Sequence, residues 1–369
     1  REQMIIGVPK EIKNQEYRVG LTPSNVHSLV QMGHQVYVES NAGSAIGYLD
    51  EEYFAMGAQV LPDASSVFGE SDMIVKVKEP QASEIKLLKD GQLLFTYLHL
   101  APDIEQTNAL LASNAIAIAY ETVTSSLGGL PLLAPMSEVA GRLAIQAAAT
   151  YLQKRHGGPG MLLGGVPGVS PANVVILGAG VVGSNALQIA VGMGANVTIV
   201  DKNLHRLREL DGIYGNRIQT RFSEPMVIEG LLREADVVVG GVLIPGASAP
   251  KLIQKQHLNL LKPGSVFVDV AIDQGGCFET SRPTTHDDPI YVEEGVTHYC
   301  VANMPGAVPK TSTIGLTNAT FPYVCELAQK GLEQSIEDNI HLKNGLSIYK
   351  GSLTCQATAL SQGKNYCLI

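Results

Sequence analysis

No apolar stretch in this 369-residue chain is sustained without polar interruption for the roughly 18 residues that a membrane-spanning helix needs. The opening Arg1-Glu-Gln-Met-Ile-Ile-Gly also lacks the apolar core of a secretion signal, so a soluble, cytoplasmic protein is expected. Arg1 to Gln3 precede what reads as a natural Met4 and are taken as added or variable residues. The five cysteines, Cys277, Cys300, Cys325, Cys355 and Cys367, show no CxxC spacing and are odd in number. That is the usage of reduced thiols, and it excludes a structural zinc site; no metal is expected. Basic residues are the minority, 26 Lys and Arg against 35 Asp and Glu, giving a net charge of −9. With no basic stripe, neither nucleic acid nor an anionic membrane is the expected partner. No repeat of about 20 to 50 residues is present, which excludes a solenoid. With 45% hydrophobic residues there is core for two domains and no reason for disorder.

What is present is a nucleotide fingerprint. Asn173-Val-Val-Ile-Leu-Gly-Ala-Gly-Val-Val-Gly183 is followed by a helical stretch and then Asn196-Val-Thr-Ile-Val-Asp201. The order of strand, glycine turn, helix, strand and acid suits a dinucleotide. Gly178 permits the tight turn, Gly180 lets backbone approach a pyrophosphate, and Gly183 lets the helix pack on the sheet. The phosphates then meet a helix N-terminus. Asp201 is placed to bond the adenosine ribose and to repel a 2′-phosphate, favouring NAD over NADP. Three glycines alone can simply close a corner, but β-branched strands on both sides and an acid about 20 residues on make the binding reading the stronger one.

Upstream, strand-like runs at Met4 to Val8, Gln35 to Val38, Met73 to Val77, Leu93 to Leu98 and Ala115 to Ala119 alternate with helical patterns, which implies a parallel sheet covered by helices. Thr22-Pro23 marks the first helix start. An alanine-rich helix follows Ala134-Pro-Met-Ser137 to about Gln153, and the glycine- and proline-dense stretch from His156 to Ser170 reads as a loop or hairpin. Later strands are expected at Asp236 to Val239, Ser265 to Ile272 and Thr297 to Val301, with helical patterns from Gly306 onward. The fold class is therefore α/β, with two Rossmann-like, doubly wound parallel-sheet domains and a cleft between them for substrate. The tail is too short for a third domain and should fold back on the first. Residues 1–131 plus 305–369 form the substrate-binding domain, and 132–304 form the NAD-binding domain.

Ligands of such sheets lie beyond the carboxyl ends of the strands. Arg18, Lys78, His99 and Glu121 follow the first, third, fourth and fifth upstream runs, and Asp201 and Asp273 hold the same kind of position in the second sheet. Two cations and a histidine suit a small carboxylate-bearing substrate, with Arg18 able to grip it through two bonds and His99 able to exchange protons. Each residue also has a plainer reading. Lys78 beside Glu79 could be a surface pair, His99 a hydrogen-bonded core histidine, and Asp273 the cap of the Asp-x-Gly-Gly turn. Tyr97 and Glu121 are weaker candidates, and His27, His34, His257 and His341 need no catalytic explanation.

Several motifs together carry a resemblance: Gly7-Val-Pro-Lys-Glu, Arg18-Val-Gly-Leu-Thr-Pro23, Val75-Lys-Val-Lys-Glu-Pro80, Tyr97-Leu-His99, Ala134-Pro-Met-Ser-Glu-Val-Ala-Gly-Arg142, the fingerprint, and Asp273-Gln-Gly-Gly276. In this order they closely resemble the alanine dehydrogenase and pyridine nucleotide transhydrogenase family, in its L-alanine dehydrogenase branch, over essentially the whole chain. The resemblance implies reversible NAD-dependent oxidative deamination of L-alanine to pyruvate and ammonium, and a homohexamer. Arg18 and Lys78 would hold the substrate carboxylate, and His99 and Asp273 would perform acid/base catalysis. Ser137, Val182, Arg206, Ser223, Leu243, Ile272, Arg282, Val301 and Met304 would join Gly178, Gly180, Gly183 and Asp201 in contacting NAD. Three alternatives stand beside this reading. They are the nucleotide-binding component of a proton-translocating transhydrogenase, which usually lacks the His99 and Asp273 pair, an NAD-sensing scaffold, and a dehydrogenase for another small amino or hydroxy acid.

Overall fold

The computed structural model describes residues 3–244 and 248–369; Arg1 and Glu2 of the leading tripeptide lie outside the described residues. The chain divides into two units, Arg1–Met136 with Val308–Ile369, and Ser137–Ala307. The joins differ from the 131/132 and 304/305 read from sequence. The helix Ala134–Tyr151 runs unbroken through the first join, and the short turn Met304–Ala307 stays with the second unit.

The first unit opens with β1 (Ile5–Val8), β2 (Gln35–Glu39), β3 (Gln59–Leu61), β4 (Met73–Val75), β5 (Leu93–Thr96) and β6 (Ile116–Ala119). These lie parallel in the order β3-β2-β1-β4-β5-β6. Their runs are apolar without alternation because both faces are covered; Ile6, Val8, Ile74, Val75, Leu94 and Phe95 are fully buried. The first helix, Pro23–Gln31, starts where Thr22-Pro23 placed it. Asn25 N–H donates to Thr22 Oγ1 at 3.2 Å, Thr22 N–H donates to Asn25 Oδ1 at 2.9 Å, and proline takes the first turn, where its missing N–H is no loss.

The second unit contains β7 (Asn173–Leu177), β8 (Asn196–Asp201), β9 (Ile218–Phe222), β10 (Val237–Gly240), β11 (Val266–Asp269), β12 (Ile290–Glu293) and β13 (Val296–Tyr299). Its order is β9-β8-β7-β10-β11-β13-β12. Period-2 geometry divides each strand between two cores: Val174 and Ile176 of β7 join Val237 and Val239 on one face, while Val175 and Leu177 join Val238 on the other.

The returning segment supplies the helix Pro309–Asp338, then β14 (Leu346–Tyr349) and β15 (Ser352–Leu353). β14 pairs antiparallel with β6, so the tail does fold onto the first sheet, though as strands that helical patterning alone missed. Both sheets are thus mixed at one edge, since β12 is also antiparallel. Four expected strands end early, the one expected to reach Val301 stopping at Tyr299. Those ending at Val77 and Leu98 stop at Val75 and Thr96, and the one expected to reach Ile272 stops at Asp269. There the Asp269 side chain accepts from Ala271 N–H and turns the chain into a short 3-10 helix, Val270–Gln274.

Candidate active site

In each unit the strand order reverses its winding beside the first strand, between β1 and β4 and between β7 and β10. Such switch points open a crevice at the carboxyl ends. In the first unit the loops leaving β1, β4, β5 and β6 bring the charged candidates to that edge.

Arg18 is 2% exposed. Its Nε donates to Glu16 Oε2 at 2.8 Å and its Nη2 to Glu16 Oε1 at 2.5 Å, while Nη1 faces Met136 Sδ at 3.2 Å. The forked Nε–Nη2 edge expected to grip a substrate is therefore given to Glu16, a residue the sequence reading had not singled out. Burial pushes the Glu16 carboxyl up, but the hydrogen bonds and charge of Arg18 outweigh it and leave the group below its ordinary range. The next residue is also braced: Val19 N–H donates to Thr313 Oγ1 at 3.3 Å, on the returning helix.

Lys78 is partly buried, and burial together with the Arg18 charge holds its ammonium below the ordinary lysine value. Glu79 pairs with Lys13 rather than with Lys78, which removes the surface-pair reading. Lys78 N–H instead donates to Glu11 Oε1 at 2.8 Å. Glu11 also takes the buried Lys76 ammonium at 3.0 and 3.1 Å, and Glu84 Oε2 lies 3.1 Å from the same nitrogen without hydrogen-bond alignment. Lys76, Glu11 and Glu84 were all missed, because Lys76 lay inside an expected strand and its two partners come from separate segments that only packing brings to it.

His99 is exposed, so it is not a core histidine, and its φ is +50°. Glu121 accepts from its N–H at 2.8 Å and from Leu98 N–H at 3.1 Å. Tyr97 donates its hydroxyl to Leu132 O at 2.5 Å, and burial raises its pKa.

In the second unit the glycines separate by cause. Gly178 has φ +103°, and a Cβ on Gly183 would lie 1.6 Å from Gly178 O, so these two are fixed by the turn itself. A Cβ on Gly180 would meet nothing within 4 Å. Gly180 caps the 12-residue helix Val181–Gly192, so its open space lies where a phosphate is best received. Asp201 Oδ2 accepts from Ala179 N–H at 2.7 Å and Oδ1 from Asn203 N–H at 2.7 Å. Arg206 Nε donates to Ala179 O at 2.9 Å, and its Nη1 pairs with Glu209 at 3.0 Å. These residues fit a pyrophosphate and ribose, and Asp201 also shapes the turn.

Asp273 is exposed on Val270–Gln274. The capping expected of it belongs to Asp269, which is fully buried and accepts from the N–H groups of Ala271, Cys277 and Phe278 at 3.1, 2.8 and 3.3 Å and from Ser281 Oγ at 2.5 Å. Lys251 holds the carbonyls of Gly275 and Gly276. Among the remaining candidates, Val182, Ile272, Val301 and Met304 have buried side chains, so their backbone is what they can offer a ligand. Ser137 and Ser223 are partly buried and Leu243 is exposed. The Arg282 guanidinium stacks 3.9 Å from the Tyr291 ring centre. Among the described residues, no cluster of three or more His, Cys, Asp or Glu is placed to hold a metal, and no helix is long and apolar enough to cross a membrane.

Residues 7–140 match the N-terminal domain of the alanine dehydrogenase/PNT family and residues 144–356 its C-terminal domain. An alanine dehydrogenase of Halomonas elongata is 55% identical over 363 residues, covering 98% of both chains. A solved L-alanine dehydrogenase superimposes with a TM-score of 0.95 at 49% identity, covering 98% of this chain and 99% of its own. A transhydrogenase from Sinorhizobium meliloti shares the fold, with a TM-score of 0.84 at 23% identity over 95% of this chain and 100% of its own.

Proposed function

Because the chain belongs to the alanine dehydrogenase/PNT family, we propose that it oxidatively deaminates L-alanine with NAD, giving pyruvate, ammonium, NADH and a proton, and that it runs the reaction in reverse. One observation carries the reading: the chain combines a glycine turn left open over Gly180 with a second switch point bearing Arg18, Lys78 and His99. The acid Asp201 at the end of β8 favours NAD over NADP.

In this mechanism Arg18 and Lys78 hold the alanine carboxylate, Arg18 with its orientation fixed by Glu16 and Lys78 as a compact charge. When bound, NAD supplies the ring that accepts hydride from Cα. His99 takes the proton from the ammonium group, so that loss of hydride leaves an iminium. Having released that proton to solvent, it takes one from the water that adds to this carbon, returns it to the departing nitrogen, and accepts the hydroxyl proton as the carbonyl forms and ammonia leaves. Asp273 orients that water and stabilises the developing positive charge. Family resemblance extends the proposal to a cytoplasmic homohexamer.

Replacing His99 or Asp273 with alanine tests the assignment. Turnover should fall at least about a hundredfold while NADH binding, followed by fluorescence, stays near that of the parent. Near-normal turnover in either variant overturns it. A parent chain that binds NADH but does not turn over alanine would instead favour nucleotide-to-nucleotide hydride transfer.

A further inference from the structure

β5 ends at Thr96, so the segment that follows it, Tyr97 to Ala101, leaves the sheet ladder just where His99 stands. Backbone groups near a sheet edge need partners, and here side chains supply them. Glu121 accepts both Leu98 N–H, at 3.1 Å, and His99 N–H, at 2.8 Å. Gln106 Nε2 donates to Leu98 O at 3.0 Å, and Gln362 Nε2, on the last helix of the chain, donates to Leu100 O at 2.7 Å. The Leu98 and Leu100 side chains are buried on either side. His99 between them adopts φ +50°, a left-handed conformation that L residues rarely take and that persists only where surroundings over-determine it.

We propose that Glu121 is the positioning residue for His99: by gripping two successive N–H groups it fixes the left-handed backbone that presents the imidazole outward while its neighbours stay buried. Oε1 takes both N–H groups and Oε2 a longer 3.3 Å contact from Leu98 N–H, which suits a carboxylate because it accepts several bonds and donates nothing. Burial pushes the Glu121 carboxyl above its ordinary pKa against the pull of the His99 and Leu98 N–H groups, so Glu121 holds its place by geometry more than by charge. The proposal rests on His99 acting as the acid/base.

The test compares Glu121→Ala and Glu121→Gln with the parent enzyme, using L-alanine and NAD. E121A should lower kcat about a hundredfold, the scale of a displacement of about 1 Å in a reacting group. KM for L-alanine and NADH affinity should change little, and E121Q, which keeps one acceptor oxygen, should fall between. The bell-shaped pH dependence of kcat should flatten in E121A and be restored in E121Q, which a purely structural loss would not produce. A kcat within threefold of the parent in E121A, or equal losses in kcat and NADH affinity, overturns the proposal. If E121A does not fold, E121Q decides by its kcat, and a kcat within threefold of the parent counts against the proposal. A crystal structure of either variant gives a reading independent of turnover, and retention of the left-handed His99 in E121A contradicts the proposal even if the parent proves not to be an alanine dehydrogenase.

Discussion

The two units share one strand order around their switch points yet equip them in opposite ways. Between β7 and β8 the second unit offers backbone: residues 178–180 turn directly into a helix, and the decisive position, Gly180, carries no side chain. Between β1 and β2 the first unit offers charge: residues 9–22 intervene before the helix, and Glu11, Glu16 and Arg18 from that loop are almost wholly buried. A pyrophosphate is large and already charged, so it is met by N–H groups and an empty space. A small carboxylate needs cations held rigid in advance, and rigid buried cations need carboxylates behind them. On the proposed reading, one scaffold serves a cofactor by removing side chains and a substrate by stacking them in ionic layers.

This contrast can be broken or sharpened at graded cost. The largest effect belongs to His99→Ala, for which kcat should fall by about 10²- to 10⁴-fold, the usual contribution of a positioned acid/base, with NADH titration unchanged. Next comes Lys76→Met, which strands the buried Glu11 and Glu84 carboxylates. Urea denaturation should show a loss of about 3 to 5 kcal/mol. Burial already raises the Glu11 pKa above its unfolded value, so its stability contribution is largest below the unfolded pKa and declines as pH rises through the folded one. The K76M deficit should therefore shrink toward acid pH, and a deficit that grows there would refute the ionic-layer account.

In the second unit the corresponding pair is Gly183→Ala against Gly180→Ala. G183A drives a Cβ into Gly178 O and should destabilise by about 1 to 3 kcal/mol or more. G180A should melt within a degree or two of the parent yet bind NADH about tenfold more weakly, or ~1.4 kcal/mol. Equal losses of stability would show that Gly180 serves packing and not ligand approach. The smallest effect is expected of Asp201→Asn: the ratio of NADP to NAD turnover should rise severalfold, with weaker NAD binding because the Ala179 and Asn203 contacts loosen.

The second unit was the more legible in the sequence, because its chemistry lies in glycines and strand ends that local pattern reveals. The first helix start at Thr22-Pro23 was equally plain. In the first unit, Arg18, Lys78 and His99 could be read as residues after strands, but the layer beneath them could not. Glu16 binds Arg18 from two residues away, which no periodicity announces, and Glu11 reaches Lys78 across 67 positions. Asp269 and Asp273 show the same limit at short range. Either could cap the turn, and only the fold assigns the buried cap to the first and leaves the second exposed. β14 and β15 escaped because strands of two to four residues are too short for alternation to register.

The most direct measurement is NADH formation by the purified chain with L-alanine, other small amino acids and 2-hydroxy acids, each with NAD and NADP. The account predicts rapid NADH formation with L-alanine and NAD, reversed by pyruvate with ammonium, and little activity with NADP or hydroxy acids. Absence of turnover with L-alanine and NAD, in a protein that still binds NADH, would contradict it.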